Sequence, residues 1–281
     1  MTNFNIGTAP KKKATTGILM GSGGSGKSGI AYHSPNPFFL ITDKCTSWID
    51  KPRFIDNEGF TEVCKTFDEF IEKLRFVAKR ENIANQGVGY DTLVIDSLTA
   101  LEDLIFSDIV TRSPRIKLNG IMQAPTCIDE MGYAGRGLAM PYWTKLLNAC
   151  SAINGLGIDV VLIAHTTLKN AAGESLEAYK MHDMTLQAFG AHNVPDLLKR
   201  SVDWCFFVSS VDETVSNRGK AVGSSNQVLT TVRTRPTSLF FAKSQGSKVE
   251  EIRHEYTFTA DDRKEVCEKM FADIRKANSI V

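Results

Sequence analysis

Eight residues near the amino end carry the densest chemistry in this sequence. Gly21-Ser22-Gly23-Gly24-Ser25-Gly26-Lys27-Ser28 fits the spacing G-x-x-x-x-G-K-[ST] at every fixed position. Glycines let successive backbone N–H groups turn inward around phosphate oxygens, a lysine ammonium neutralises the β- and γ-phosphates, and a serine hydroxyl is a hard oxygen ligand for Mg²⁺. The chemistry is that of a nucleoside triphosphate, with ATP and Mg²⁺ as the implied cofactors. Gly21, Ser22, Gly23, Gly24, Ser25, Gly26, Lys27, Ser28 and Gly29 are the candidate nucleotide-binding loop. A Gly/Ser loop that fits by accident is the competing reading. The apolar run Gly17-Ile18-Leu19-Met20 before the loop and a helical pattern after it argue against accident.

A second candidate is Asp96, which closes the apolar run Leu93-Val94-Ile95 as a Walker B carboxylate does. Ser28 and Asp96 are the candidate metal site. An aspartate ending a strand also caps helices, and a helix is predicted to begin near Ser97.

These residues need a scaffold, and the hydrophobic pattern supplies one. Short apolar runs at 17–20, 37–42, 91–96 and 160–164 read as buried strands. Between them, Phe67, Phe70, Ile71, Leu74 and Val77 recur at helical spacing, as do Leu98, Leu101, Leu104 and Ile105, and 141–154 reads as a further helix. Near-continuous apolar strands alternating with helices predict an α/β fold: a mostly parallel central sheet with helices on both faces. After Val202 the texture changes. Strands are predicted at 204–208 and 227–233 around a Gly/Ser/Asn-rich turn at 217–226, with a further strand at 237–242, giving a C-terminal β-rich edge. Val266, Met270, Phe271 and Ile274 place a docked helix over 261–277. The expected organisation is a flexible basic segment at 1–15, carrying Lys11-Lys12-Lys13, and one domain over 16–281.

The run Leu93-Val94-Ile95-Asp96-Ser97-Leu98-Thr99-Ala100-Leu101 resembles the Walker B segment of RecA-type recombinases, with Ser97 where many ring ATPases have glutamate. Together with the phosphate loop, the 160–165 strand and Val202-Asp203-Trp204, the chain from about 16 to 242 resembles phage RecA-like P-loop ATPases, in particular phage single-strand annealing recombinases built on a RecA core. The resemblance implies a DNA-dependent ATPase with a RecA-like fold. It places the water-activating acid at Asp43, one methylene shorter than the usual glutamate, with Glu58 and Glu102 in reserve. It makes His165 a sensor of the γ-phosphate, and it implies a homo-oligomer, filament or ring. In that oligomer a basic residue near Lys243, with Arg233 and Arg235 as alternatives, reaches the neighbour's γ-phosphate.

Charge distribution points independently to a polyanion. From 214 through 249 there is no acidic residue, but there are Arg218, Lys220, Arg233, Arg235, Lys243 and Lys248. Further clusters are Arg112, Arg115, Lys117 and Arg136 in one long connection, and Lys169, Lys180, Lys199 and Arg200 in another. The resemblance makes these connections the DNA-facing loops, with Tyr133, Tyr179 and Phe189 able to stack on bases. The expected partner is single-stranded DNA, with a single-strand binding protein as a further partner the resemblance allows.

Composition bounds the alternatives. Across 281 residues, 33 basic and 32 acidic side chains leave a formal net charge of +1, which excludes a wholly basic histone-like binder. No apolar run approaches the roughly 20 residues of a membrane helix, so no membrane partner is expected. Cys45, Cys64, Cys127, Cys150, Cys205 and Cys267 are too scattered for a disulfide framework or a zinc site and fit a cytoplasmic protein, of a host cell if phage-encoded. Besides annealing or strand pairing, the same core suits a helicase-loading or other DNA motor, or a nucleotide-switched module that binds replication proteins.

Overall fold

The computed structural model of the chain describes residues 14–44, 48–118, 121–172, 178–217, 220–246 and 248–278. Of the segment read as a flexible lead-in, 1–13 lie outside the described residues, whereas Thr15 is buried and donates its N–H and hydroxyl to Asp159. The domain therefore begins slightly earlier than the sequence pattern suggests.

The first half follows the predicted alternation. Strand β1 (Thr16–Gly21) leads through the phosphate loop into the short helix α1 (Lys27–Ala31) and then β2 (Pro37–Ile41). Helix α2 (Phe67–Ala78) starts at Thr66, whose side chain accepts from the Glu69 N–H, with Asp68 and Glu69 favourably placed in its first turn. It buries Phe67, Phe70, Ile71, Leu74 and Val77, the five residues whose spacing announced it. The short α3 (Arg80–Ala84) precedes β3 (Thr92–Asp96), and α4 (Leu98–Arg112) starts at Ser97, whose side chain accepts from the Ala100 N–H. Capping thus falls to Ser97 and leaves the Asp96 carboxylate available.

The connection beyond α4 holds the hairpin β4 (Ile116–Leu118) and β5 (Ile121–Gln123) and the short α5 (Gly132–Gly137), before α6 (Met140–Gly155). Strand β6 (Asp159–Ala172) does not stop at Ala164 as expected. Beyond His165 it leaves the parallel sheet and pairs antiparallel with β7 (Ala178–Met184), so this connection begins as a hairpin rather than a loop. The small ladder β8 (Ala188–Phe189) and β9 (His192–Asn193) then leads to α7 (Val194–Ser201).

In the last third, β10 (Trp204–Asn217) and β11 (Lys220–Arg233) form a long hairpin, so most of the predicted turn at 217–226 is strand; Arg218 lies outside the described residues. The strand expected at 237–242 is absent. Phe240 sits in a turn with its ring stacked on Phe207 at 4.5 Å, and the short β12 (Lys243–Ser244) just beyond it pairs antiparallel with the start of β10. Strand β13 (Glu255–Phe258) was not foreseen, and α8 (Arg263–Ala277) closes the fold with Met270, Phe271 and Ile274 buried.

The sheet order is β13-β11-β10-β1-β6-β3-β2, parallel from β10 to β2 and antiparallel at the β11 and β13 edge. This is an α/β RecA-like P-loop NTPase fold, with β6 inserted between the phosphate-loop strand and the Asp96 strand. One face of the sheet packs Phe70, Leu101, Trp143 and Leu198 from α2, α4, α6 and α7. The other packs Ile30, Met270 and Ile274 from α1 and α8. The strands meet closely at Gly17, where an added Cβ would lie 1.8 Å from the Trp204 indole, so the β1/β10 contact requires glycine. Among the described residues no helix is long and apolar enough to cross a membrane.

Candidate nucleotide site

All the parallel strands end their carboxyl edges on one side of the sheet, where open α/β folds bind ligands. The phosphate loop leaves β1 there. Gly24 and Gly26 take φ of 77° and 84°, left-handed values that glycine adopts without strain. Ser210 on β10 holds the loop by donating its hydroxyl to the Ser25 carbonyl at 3.1 Å.

Lys27 is buried and folds back under the loop, its Nζ donating to the carbonyls of Gly21 at 2.9 Å and Ser22 at 2.7 Å. Burial lowers its pKa to about 8, against the opposing pull of Asp96. Ser28 donates its hydroxyl to Asp96 Oδ2 at 2.6 Å. Asp96 is 3% exposed, and burial raises its pKa to about 6; the Ser28 hydrogen bond and Lys27 act the other way, and Asp43 adds to the rise. The peptide between Asp96 and Ser97 is cis.

Asp43 is pinned beside Asp96 through the backbone. The N–H groups of Thr42 and Asp43 both donate to the Asp96 carbonyl, at 2.8 and 3.2 Å, while the Thr42 hydroxyl accepts from the Ser97 N–H and donates to the Ser97 carbonyl, both at 2.7 Å. His165 Nε2 stands 3.9 Å from Asp43 Oδ2, within charge range but beyond a direct hydrogen bond. Burial and the Lys27 charge lower the His165 pKa, with Asp43 opposing. Its backbone N–H donates to the Thr99 hydroxyl on α4, and its carbonyl accepts from the Thr185 N–H beyond β7.

These groups converge on one cavity of about 320 Å³ lined by Gly24, Gly26, Lys27, Ser28, Asp43, Asp96 and His165. Trp48, 55% exposed, also lines it and was missed by sequence reasoning; an aromatic in a polar loop after a strand was its one available signal. The donor set fits a triphosphate with Mg²⁺: a buried ammonium, the amides opening a helix, and a hydroxyl and carboxylate already at hydrogen-bond distance. Of the reserve acids, Glu58 is exposed, and Glu102 is buried away from the cavity, accepting from the Gln187 N–H at 2.8 Å.

The basic candidates divide. Arg112 is paired with Asp68 and Asp108, Arg136 with Asp129, and Lys199, 13% exposed, with Asp183 at 2.7 Å; Lys169 donates to the Met184 carbonyl. Arg115, Lys117 and Arg200 are exposed, with no ion-pair partner among the described residues. The Lys243 ammonium donates to the carbonyls of Lys199 and Val202 at the end of α7, as a helix C-terminal cap does. Arg233 donates to the Ser209 hydroxyl and Arg235 to the Val249 carbonyl.

Residues 13–245 match the model of the AAA domain family. No curated protein matches the chain. Solved structures similar to it include the flagellar accessory protein FlaH from Methanocaldococcus jannaschii, at 10% identity and TM-score 0.36, covering 88% of this chain and 86% of that one. Another is a KaiC-like protein from Pyrococcus horikoshii OT3, at 14% identity and TM-score 0.37, covering 88% and 85%.

Proposed function

Since this chain belongs to the AAA domain family, we propose that its ATP hydrolysis is coupled to single-stranded DNA, held by a homo-oligomer of the chain that promotes annealing or strand pairing. The ATP-binding and hydrolysing P-loop core is the premise; DNA and assembly are what we add. When bound at Ser28 and Asp96, Mg²⁺ supplies charge neutralisation on the phosphate oxygens. Lys27 exchanges its loop carbonyls for phosphate oxygens, a favourable trade for an ammonium already stripped of water. Asp43 takes on its carboxylate the proton released by the attacking water, and His165 lies beside it.

One observation carries the DNA reading. Tyr133 and Phe189 come from two separate connections, yet their ring centroids lie 5.5 Å apart and the residues are 50% and 49% exposed. The Arg136 guanidinium lies 5.9 Å over the Phe189 ring. Two exposed rings beside a cation form a surface on which bases stack without regard to sequence, and exposed Arg115, Lys117 and Arg200 supply charge for a phosphate backbone. The test is ATP turnover by wild type and Lys27→Ala, with and without single-stranded DNA, at two salt concentrations. The expected turnover rises with DNA, falls with salt and vanishes in Lys27→Ala.

A second reading is a nucleotide-switched module that recruits replication proteins. In-chain pairing of Arg112, Arg136 and Lys199 favours it, because those charges are already neutralised. Nucleotide binding with no DNA response in the same assay selects this reading.

A further inference from the structure

Strand β2 is the outermost strand of the parallel sheet, and its ladder with β3 ends at the pair Ile41 and Asp96. Beyond that pair the two chains part. The β3 chain turns into α4 through Ser97, while the β2 chain continues through Thr42 to Asp43, which lines the nucleotide cavity. Regular strand pairing no longer fixes the backbone there, so other hydrogen bonds must do so.

Thr42 supplies them. Its hydroxyl accepts from the Ser97 N–H and donates to the Ser97 carbonyl, both at 2.7 Å, so one side chain reproduces the pair of bonds that opposed strand residues exchange. Its own N–H joins that of Asp43 on the Asp96 carbonyl. Thr42 and Ser97 are both buried, which makes the hydroxyl costly to remove: the Ser97 N–H loses its partner where water does not reach. The Ser97 carbonyl also accepts from the Leu101 N–H at 3.0 Å, in the first turn of α4. The threonine therefore ties three things together: the segment bearing Asp43, the peptide that follows the Asp96 carboxylate, and the start of α4.

We propose that Thr42 is a positioning residue for ATP hydrolysis: its hydroxyl holds the Asp43 carboxylate in fixed relation to the Ser28 and Asp96 pair. The inference rests on Asp43 as the acceptor of the water's proton. Thr42 does not itself line the cavity, so it acts through Asp43. Misplacing a reacting group by about 1 Å costs on the order of 100-fold in rate, which is the scale on which such a clamp matters. A second buried threonine gives the comparison. The Thr92 hydroxyl donates to the Pro35 carbonyl at 2.7 Å, at the opposite end of the same strand pair and away from the cavity.

The test is steady-state ATP turnover by the full chain, with urea unfolding of every variant alongside. Thr42→Val keeps the shape and removes the hydroxyl; it is expected to lower kcat at least about tenfold with KM for ATP within about threefold of wild type. Thr42→Ser keeps the hydroxyl and restores kcat to within about threefold. Thr92→Val also loses a buried hydroxyl bond and is expected to lose stability while keeping wild-type kcat. Should Thr42→Val not fold, Thr42→Cys, with its weak S–H donor, takes its place. Adding Thr42→Val to Asp43→Asn lowers kcat no further, because the group that Thr42 positions is already gone. The proposal is overturned if Thr42→Val turns over as wild type, if Thr42→Ser does not restore turnover, if Thr92→Val loses as much, or if the losses from Thr42→Val and Asp43→Asn multiply. Wild-type turnover in Asp43→Asn is a separate failure, which removes the base assignment and this inference with it.

Discussion

Ser28 and Asp96, far apart in sequence, meet in a 2.6 Å hydrogen bond between hydroxyl and carboxylate. The contact joins the start of α1 to the end of β3 across the intervening strand β6. Burial raises the pKa of this nearly solvent-free carboxylate to about 6, and the Ser28 hydrogen bond opposes that rise. A divalent cation replaces that hydrogen bond with a stronger interaction, because both oxygens are hard ligands already in place.

Asp96→Asn and Ser28→Ala should therefore lose Mg²⁺-dependent turnover by at least about 100-fold, while nucleotide still binds in the presence of EDTA. Turnover against Mg²⁺ concentration, with nucleotide affinity measured separately, checks this. Wild-type Mg²⁺ dependence in Asp96→Asn would place the metal elsewhere.

Asp43 is positioned by two backbone bonds to the Asp96 carbonyl, so its removal should affect chemistry and not folding. Asp43→Asn is expected to lower kcat by roughly 100- to 10,000-fold with KM little changed, the range for loss of a general base. Asp43→Glu restores the missing methylene and should match or exceed wild-type kcat. Single-turnover hydrolysis of both variants decides the assignment.

Trp48 lines the nucleotide cavity while more than half exposed. Nucleotide binding should change its fluorescence, and the change should disappear in Trp48→Phe. Trp143 and Trp204 are buried, so they contribute a constant background.

Tyr133→Ala and Phe189→Ala should each weaken single-stranded DNA binding by about 1–3 kcal/mol, roughly 5- to 150-fold. The salt dependence of binding should be unchanged, because neither ring neutralises a phosphate. Arg115→Ala with Lys117→Ala should do the reverse, flattening the salt dependence. Affinity at several salt concentrations separates the two classes.

Glu102 provides a stability test independent of any ligand. Burial raises its pKa from 4.5 to about 7, with Asp103 adding to the rise and the Gln187 N–H, Arg136 and Lys169 opposing it. Between those values the folded chain retains a proton that the unfolded chain has released. Stability from this group is therefore greatest below pH 4.5 and falls as the pH rises through 7. Glu102→Gln keeps an acceptor for Gln187 and should stabilise the chain at pH 8 by on the order of 1–3 kcal/mol, with a much smaller gain at pH 5. Urea unfolding at the two pH values measures the difference.

The sequence by itself determined the phosphate loop, the Asp96 strand end and the helices of the parallel half. Each is encoded locally: fixed glycine and lysine spacing in the loop, an apolar run ended by a carboxylate, and five apolar residues at helical spacing in α2. It also singled out Tyr133 and Phe189, although nothing local said they would touch. Tertiary structure alone decided which charges are spent. Arg112, Lys199 and Lys243 are indistinguishable in sequence from Arg115, Lys117 and Arg200, but their partners Asp68, Asp183 and the Val202 carbonyl come from elsewhere in the fold. The extension of β6 past His165 likewise depends on β7, because a strand lasts as long as a neighbour accepts its hydrogen bonds. Glu102 reads as an ordinary helix glutamate until the chain around Gln187 covers it, and burial, which shifts its pKa, exists only in three dimensions.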